Sequence, residues 1–193
     1  MKKLFAGALV LCSLTLFAQD KPGAPPAMDA ATEAMIKAGT PGEPHKALDT
    51  FAGKWDAKVT MWPAPGMDPM VSPGSSEDRW IMGGRILEQR FTSSVMGMTF
   101  EGLGYTGYDN VKKQYWSTWM DSMSTGMMLT TGTLNGNVYS YSGSMADPLT
   151  GKDSPLDIRI TVKDHDHHVM EMWGPAPDGK NFKMMEIAYT RRK

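Results

Sequence analysis

The sequence predicts an all-β fold, an antiparallel meander of about ten strands preceded by short N-terminal helices. After residue 53, apolar and polar residues alternate with a period of two, and turn residues recur about every 8 to 12 positions. No helical pattern separates the alternating segments, so hairpins are expected to join the strands. Because no helices cover the sheet, closure into a barrel or a sandwich is expected to protect its edges.

The N-terminus predicts export. Lys2 and Lys3 precede an apolar run over residues 4–17, which is shorter than the roughly 20 residues of a membrane-spanning helix. This pattern is typical of a secretory signal peptide over residues 1–18, and its cleavage removes the single cysteine, Cys12. A mature chain without thiols suits an oxidising compartment. We therefore expect a periplasmic or extracellular protein with no integral membrane segment after cleavage.

Composition narrows the range of partners. The chain has 20 Lys and Arg against 21 Asp and Glu, and a formal net charge of −1. This balance provides no electrostatic attraction for a nucleic acid, so we predict no nucleic-acid partner. The 18 methionines are the unusual feature. The oligomeric state is left open.

Two short helices are predicted before the strands. Residues 19–43 are predicted to form a Pro/Ala-rich tether that contains a helix over Met28–Ala38, with Gly39 as its stop. Pro44 suits the first position of a second helix, which would place Leu48 and Phe51 on one face. The β-barrel domain is predicted to cover residues 44–193.

Ten strands and one long irregular loop are expected. In the clearest strand, Leu156, Ile158, Ile160 and Val162 alternate with polar residues, so one face packs in a core and the other meets solvent. The long loop is expected over residues 63–73. The predicted strands cover about residues 54–62, 76–82, 85–93, 99–108, 114–121, 127–133, 137–145, 156–163, 168–174 and 181–190.

The first and last strands indicate closure of the sheet. Their alternation places Trp55 and Arg191 on the inward side. Gly53-Lys54-Trp55 resembles the G-x-W signature of lipocalins and their calycin relatives. That resemblance implies a calycin-like barrel in which an arginine of the final strand packs across the tryptophan. Arg191, or failing that Arg192, would take this part by a cation–π contact.

A closer resemblance extends over nearly all of residues 45–191. It is to an uncharacterised bacterial family, domain-of-unknown-function family 1579, and it implies no activity, ligand or catalytic residue. The motifs that carry it are FAGKW (51–55), RWIMGGR (79–85), MGMTFEG (96–102), GYDN (107–110), DSMSTGMM (121–128) and MMEI (184–187).

Aromatic residues and methionines provide the main functional indication. One phase of each strand must face the interior, and a cavity lined by aromatic residues and methionines is typical of a small-molecule site. We therefore predict that a small apolar molecule binds inside the barrel and that no cofactor is needed; a filled core is the alternative. The predicted ligand-binding residues are Trp80, Tyr105, Trp116, Trp119, Met128, Met172 and Trp173.

An enzyme on the same barrel is a second hypothesis. The sequence contains no G-x-S-x-G motif, and its cysteine lies in the predicted signal peptide. A carboxylate turned inward is the remaining general acid or base, and the candidates are Asp121, Glu101 and Glu186. Gly102–Gly107 matches G-x-G-x-x-G, but it lies within a predicted strand and lacks the helix that nucleotide binding requires.

Metal handling is a third hypothesis. His165, His167 and His168 are candidate ligands for copper, zinc or nickel, and the methionine thioethers are candidate ligands for copper. A polar hairpin turn explains the same histidines, and pliable core packing explains most of the methionines. Only His165 and His167 share one phase of an extended chain, and no third and fourth ligand can be placed beside them from the sequence, so no resident metal is predicted.

Overall fold

The computed structural model describes residues 28–176 and 178–193. The predicted signal peptide and the first part of the predicted tether, residues 19–27, lie outside the described residues. The division into signal peptide, tether and barrel domain stays a prediction. Within the described residues, no helix is both long and apolar enough to cross a membrane.

In the part of the chain that the structure describes, two α-helices and a 3₁₀ helix precede the strands. Helix α1 spans Ala30–Gly39, and its N-cap Asp29 accepts a hydrogen bond from the Thr32 amide at 2.7 Å. Helix α2 spans Glu43–Lys46 and continues into a 3₁₀ helix over Ala47–Phe51. None of the α1 residues is buried, whereas Leu48 and Phe51 of the 3₁₀ helix are buried in the core.

Ten antiparallel strands form a closed barrel, as the sequence predicts. Each strand pairs with the next along the chain, and the last strand pairs with the first. The strands are β1 (Gly53–Met61), β2 (Met70–Ile81), β3 (Ile86–Val95), β4 (Met98–Asp109), β5 (Gln114–Asp121), β6 (Met128–Asn135), β7 (Val138–Asp147), β8 (Lys152–Val162), β9 (His167–Pro175) and β10 (Asn181–Arg191).

The predicted long loop is shorter than expected. Strand β2 begins at Met70, so the connection from β1 covers only residues 62–69. Pro73 therefore lies within a strand, opposite Lys58 of β1. The pairing of β2 with β3 begins only at Gly74, which lies opposite Ser93. Proline is tolerated at such an edge position because no strand needs its missing amide.

The barrel has two unlike ends. At the closed end, the odd-numbered strands begin, and α2 with the 3₁₀ helix packs across the opening. Leu48 is completely buried there, and the Phe51 ring contacts the Tyr139 ring edge to face with centroids 5.2 Å apart. The opposite end, where the odd-numbered strands finish, is called the mouth. Strand β1 ends at the mouth with Met61, and β9 ends there with Pro175.

Candidate ligand-binding site in the barrel

Arg191 and Trp55 join the last strand to the first at the closed end. The two residues are register partners, and the guanidinium lies 4.1 Å from the centre of the indole ring. Arg191 donates from Nη1 to the Ala52 carbonyl at 2.7 Å and from Nη2 to the Thr50 carbonyl at 2.8 Å. The same side chain therefore anchors the 3₁₀ helix to the barrel.

The glycine of the Gly-x-Trp motif is required by this packing. Gly53 has φ of 133°, and a Cβ at this position would lie 2.5 Å from Nη1 of Arg191. The Trp55 ring, against which Arg191 packs, is held in place because its Nε1 donates to the Phe51 carbonyl at 2.8 Å. Any larger residue at position 53 would both strain the backbone and displace the arginine.

Three further side chains hold the 3₁₀ helix and α2 over the closed end. Tyr115 donates to the Pro44 carbonyl at 3.1 Å, and Tyr139 donates to the Ala47 carbonyl at 2.7 Å. Trp80 donates from Nε1 to Oδ1 of Asp49 at 2.6 Å. These bonds satisfy carbonyls and a carboxylate of the helical segment, so the segment acts as a fixed seal.

A buried polar group lies inside the barrel next to this seal. Asp78 is buried and accepts two hydrogen bonds from Nε2 of Gln89, at 3.3 and 3.2 Å. Burial raises the pKa of Asp78 to about 7, although Ser76, Gln89 and Arg191 act in the opposite direction. The Ser76 hydroxyl lies beside the carboxyl group, yet within the described residues its Oγ has no hydrogen-bond partner of normal geometry.

Glycines on the inner wall accommodate two aromatic rings above the polar group. Gly102 and Gly104 of β4 lie beneath the ring of Trp119, and a Cβ on Gly104 would lie 3.2 Å from that ring. Gly74 lies beneath Phe91, where a Cβ would approach the ring to 2.8 Å. Because these glycines lack a side chain, both rings can pack directly against the wall.

The mouth half of the lumen is lined by apolar side chains that are only half-buried. Strand alternation turns these side chains inward, because they share a face with buried core residues such as Ile158 and Ile187. Inward side chains that water still reaches indicate that the lumen opens at this end. The residues are Phe100, Trp119, Met128, Met172 and Met185.

The structure separates the predicted ligand-binding residues into two groups. Trp119, Met128 and Met172 lie on the inner wall toward the mouth, whereas Trp80 faces inward at the closed end. The register turns the other three outward, because each is paired with a residue on the outer face. Tyr105 pairs with Glu88, Trp116 with Gly107 and Trp173 with Asp157.

Trp173 lines a groove on the outer wall rather than the lumen. The groove has a volume of about 330 Å³ and lies over β7, β8 and β9. Its lining is mainly polar and includes Ser142, Asp157, Arg159 and Asn181. Ser142 donates to Oδ1 of Asp157 at 2.6 Å, which holds that carboxylate against the wall.

The three candidate catalytic carboxylates do not converge. Glu101 is exposed on the outer face, and Glu186 forms an ion pair with Lys183. Asp121 lies at the mouth, where its Oδ2 accepts a hydrogen bond from Nε1 of Trp119 at 2.9 Å. The buried acid of the lumen is Asp78 instead, which the sequence reasoning missed. The sequence could have indicated Asp78 by its position two residues before Trp80, which places both side chains on the same face of β2.

The three clustered histidines are also separated. His165 and His167 lie in the exposed turn, where Nδ1 of each contacts a neighbouring aspartate, at 2.6 and 2.8 Å. His168 points inward and stacks on Tyr189 with ring centroids 4.4 Å apart. Burial and the nearby Arg191 lower the pKa of His168 to about 3. Across the described residues, no group of three or more His, Cys, Asp or Glu is arranged to hold a metal ion.

One solved structure is similar enough to support this architecture. The crystal structure of Rv2717c from M. tuberculosis is similar with a TM-score of 0.58 and 16% sequence identity, over 78% of this chain and 99% of that chain. At that identity the likeness concerns the fold alone. A redesigned β-barrel matches with a TM-score of 0.39 and 14% identity, over 76% of this chain and 96% of its own.

Sequence comparison assigns the family. No curated protein sequence matches the chain. The pattern of the family described as "Protein of unknown function (DUF1579)" matches residues 40–191, which include the 3₁₀ helix, the seal and all ten strands. The chain therefore belongs to the DUF1579 family.

Proposed function

We propose that the protein binds a small, largely apolar molecule in the lumen of the barrel, and that the molecule enters through the mouth. One observation carries this proposal: the inward side chains of the mouth half are apolar and only half-buried. In a filled core these side chains would be shielded on every side by neighbours. Ten strands also enclose a wider lumen than eight, the number at which side chains are just able to fill the interior.

The arrangement along the lumen favours an elongated ligand with one polar group. A ligand that enters from the mouth meets methionines and the Trp119 ring first. Beneath Phe91 it approaches Ser76, Asp78 and Gln89, and the Asp78 carboxyl with the adjacent Ser76 hydroxyl supports a hydrogen bond to the ligand. A mostly apolar pocket with a few converging polar groups is typical of small-molecule sites.

The surface around the mouth supports the same function. Methionine thioethers are flexible and polarisable, and such side chains are common at surfaces that accept varied apolar ligands. Exposed apolar residues gathered at one end of a protein mark an interaction site. Seven exposed methionines lie at or beside the mouth: Met67, Met70, Met96, Met98, Met123, Met127 and Met145.

We also propose that binding takes place outside the cytoplasm. The support is the segment of basic, then apolar, then small residues that begins the chain, with its predicted cleavage near residue 18. Antibody or reporter detection of the mature protein in the periplasmic or culture fraction tests this part. Retention of the uncleaved chain in the cytoplasm would contradict it.

A lumen-filling substitution tests the binding proposal. Met128 faces the lumen, whereas the adjacent Leu129 faces outward on the same strand and is 54% exposed. Titration with the neutral fluorescent probe N-phenyl-1-naphthylamine should show saturable binding to the wild type. Met128→Trp should weaken it about tenfold, and Leu129→Trp less than about twofold. Absence of saturable binding, or equal effects of the two variants, would overturn the proposal.

A further inference from the structure

Four methionines from distant parts of the sequence form one row at the mouth. Met61 of β1 lies opposite Met70 of β2 on one side and opposite Met185 of β10 on the other. Met185 in turn lies opposite Met172 of β9. Four neighbouring strands, in the order β2, β1, β10 and β9, therefore each contribute one thioether to a continuous row of register partners.

All four side chains are on the inner face. Met61 lies two residues after Val59, and Met185 lies two residues before Ile187; both of these neighbours are buried in the core. Residues that are directly opposite each other in an antiparallel pair share a face. Met70 and Met172 therefore also face inward, and Met70 is 44% exposed at the edge of the mouth.

The spacing allows the sulfur atoms to converge. Directly opposed residues in an antiparallel pair have Cβ atoms about 4.5–5.5 Å apart. Methionine has three rotatable bonds beyond the backbone, so its sulfur can move toward that of a cross-strand neighbour. Met61 has a methionine on each side, and the row therefore offers at least three sulfurs around one point.

The chemistry of this row suits one class of metal ion. Thioethers are soft, uncharged ligands, and they select Cu(I) over harder divalent ions that require imidazole or carboxylate. Three charged side chains of β9 and β10 form ion pairs, Lys183 with both Glu171 and Glu186. Glu186 and Glu171 are register partners, and they lie on the outer face of the strands whose inner face carries Met185 and Met172.

We propose that Met61, Met185 and their neighbours Met70 and Met172 form a binding site for Cu(I), and for Ag(I) as its redox-inert analogue. The site needs no histidine, which is consistent with the dispersal of His165, His167 and His168. What the site requires is the thioether sulfur and not the apolar volume of the side chain. Replacement of methionine by leucine therefore removes the thioether and keeps the apolar volume.

The experiment uses the full chain with Cys12→Ser, which removes the sole thiol as a competing ligand. Cu(I) is supplied without oxygen and with excess reductant, in competition with the chromophoric chelator bicinchoninate. Native mass spectrometry with Ag(I) measures stoichiometry. The expected result is one tightly held ion per chain. Failure of the protein to remove Cu(I) from the chelator, together with no stoichiometric Ag(I), would overturn the proposal.

Matched variants locate the site. Met61→Leu and Met185→Leu should each weaken Cu(I) binding by about tenfold or more. The controls are Met96→Leu and Met127→Leu, two exposed methionines beside the same mouth, which should change it by less than about twofold. Equal losses in both sets would show that Cu(I) binds to surface methionines in general and would overturn the assignment.

Two further measurements keep the result interpretable. Thermal unfolding confirms that each variant is folded, and Met172→Leu replaces either central variant if that variant fails to fold. N-phenyl-1-naphthylamine binding to the same variants is recorded as a separate readout of the lumen. Loss of Cu(I) binding in folded row variants with the Met96→Leu and Met127→Leu controls unchanged supports this inference, whereas retained Cu(I) binding in every row variant contradicts it, whatever the probe does.

Discussion

The guanidinium of Arg191 lies 4.1 Å from the centre of the Trp55 ring and also bonds to the backbone of residues 50 and 52. One contact therefore unites the first strand, the last strand and the helical seal. The two residues are 136 positions apart in the sequence, so their contact exists only when the barrel is closed. Replacement of either residue should therefore lower the stability of the closed barrel as a whole.

Trp55→Ala should destabilise the protein by about 3–5 kcal/mol, since it deletes a buried aromatic side chain and leaves a cavity. Trp55 is 1% exposed and loses its hydrogen bond to the Phe51 carbonyl as well. Urea unfolding measures the change in free energy. Trp116→Ala on the outer wall is the control and should cost clearly less. A near-neutral effect of Trp55→Ala would contradict its role in closing the barrel.

Arg191→Lys should destabilise by about 2 kcal/mol, because lysine lacks the planar fork that serves two carbonyls and stacks on an indole ring. Arg192→Lys is the matched control on the next residue. Arg192 is exposed and bonds to Oδ1 of Asp56 at 2.6 Å, so its replacement should change stability by less than about 0.5 kcal/mol. Equal effects of the two variants on the unfolding midpoint would argue against the proposed anchor.

Asp78→Asn should remove a loss of stability that the wild type shows as pH rises. Burial raises the pKa of Asp78 from 3.8 to about 7, so the folded state binds a proton that the unfolded state has released between these values. The contribution of Asp78 is therefore fully present below about pH 4, falls as pH rises toward 7 and is absent above it. The stability of wild type relative to Asp78→Asn should fall across this window in urea titrations. A difference that is independent of pH would contradict the burial of the acid.

His168→Phe should improve stability in acid. Burial lowers the pKa of His168 from 6.5 to about 3, so its contribution is present above about pH 6.5 and is lost as pH falls toward 3. Phenylalanine keeps a ring for the stack on Tyr189 and removes the proton uptake. Acid unfolding followed by tryptophan fluorescence should shift to lower pH. His167→Phe in the exposed turn should leave the transition in place, and an equal shift there would contradict the explanation.

Gly102→Ala should destabilise by about 1–3 kcal/mol, because the added methyl group overlaps the ring of Trp119. The ring would have to move toward the axis of the barrel, so probe binding in the lumen should weaken as well. Gly39→Ala is the control, since no atom lies within 4 Å of a Cβ at that position. Unchanged stability and unchanged probe binding in Gly102→Ala would show that the ring does not depend on this glycine.

Several features of the fold were predictable because they depend on local sequence. Alternation identified ten strands, and for β5 the predicted and observed bounds agree at residues 114–121. The length of the loop over residues 63–73 was overestimated because proline and glycine usually indicate a loop. Residues 70–73 belong instead to β2, in a stretch that pairs with β1 but not with β3.

The candidate site was less predictable. Alternation divides each strand into two faces, but only the register assigns a face to the interior. The sequence therefore could not show that Trp116 and Trp173 face outward, or that Asp78 is a buried acid. Burial inside the closed barrel raises the pKa of Asp78, and the groups that oppose this shift include Gln89 and Arg191, which come from other strands.

By itself the sequence determined the class of fold and the number of strands, because both follow from residue periodicity, which is local. The contact of Trp55 with an arginine of the final strand was implied only by the resemblance to calycins, and it forms only when the barrel closes. Tertiary structure decided which aromatic residues line the lumen, where a buried acid lies and how the methionines are grouped. Met61, Met70, Met172 and Met185 become neighbours only through strand pairing. Pairing is a relationship between segments that are distant in the chain, and closure of the barrel brings them together.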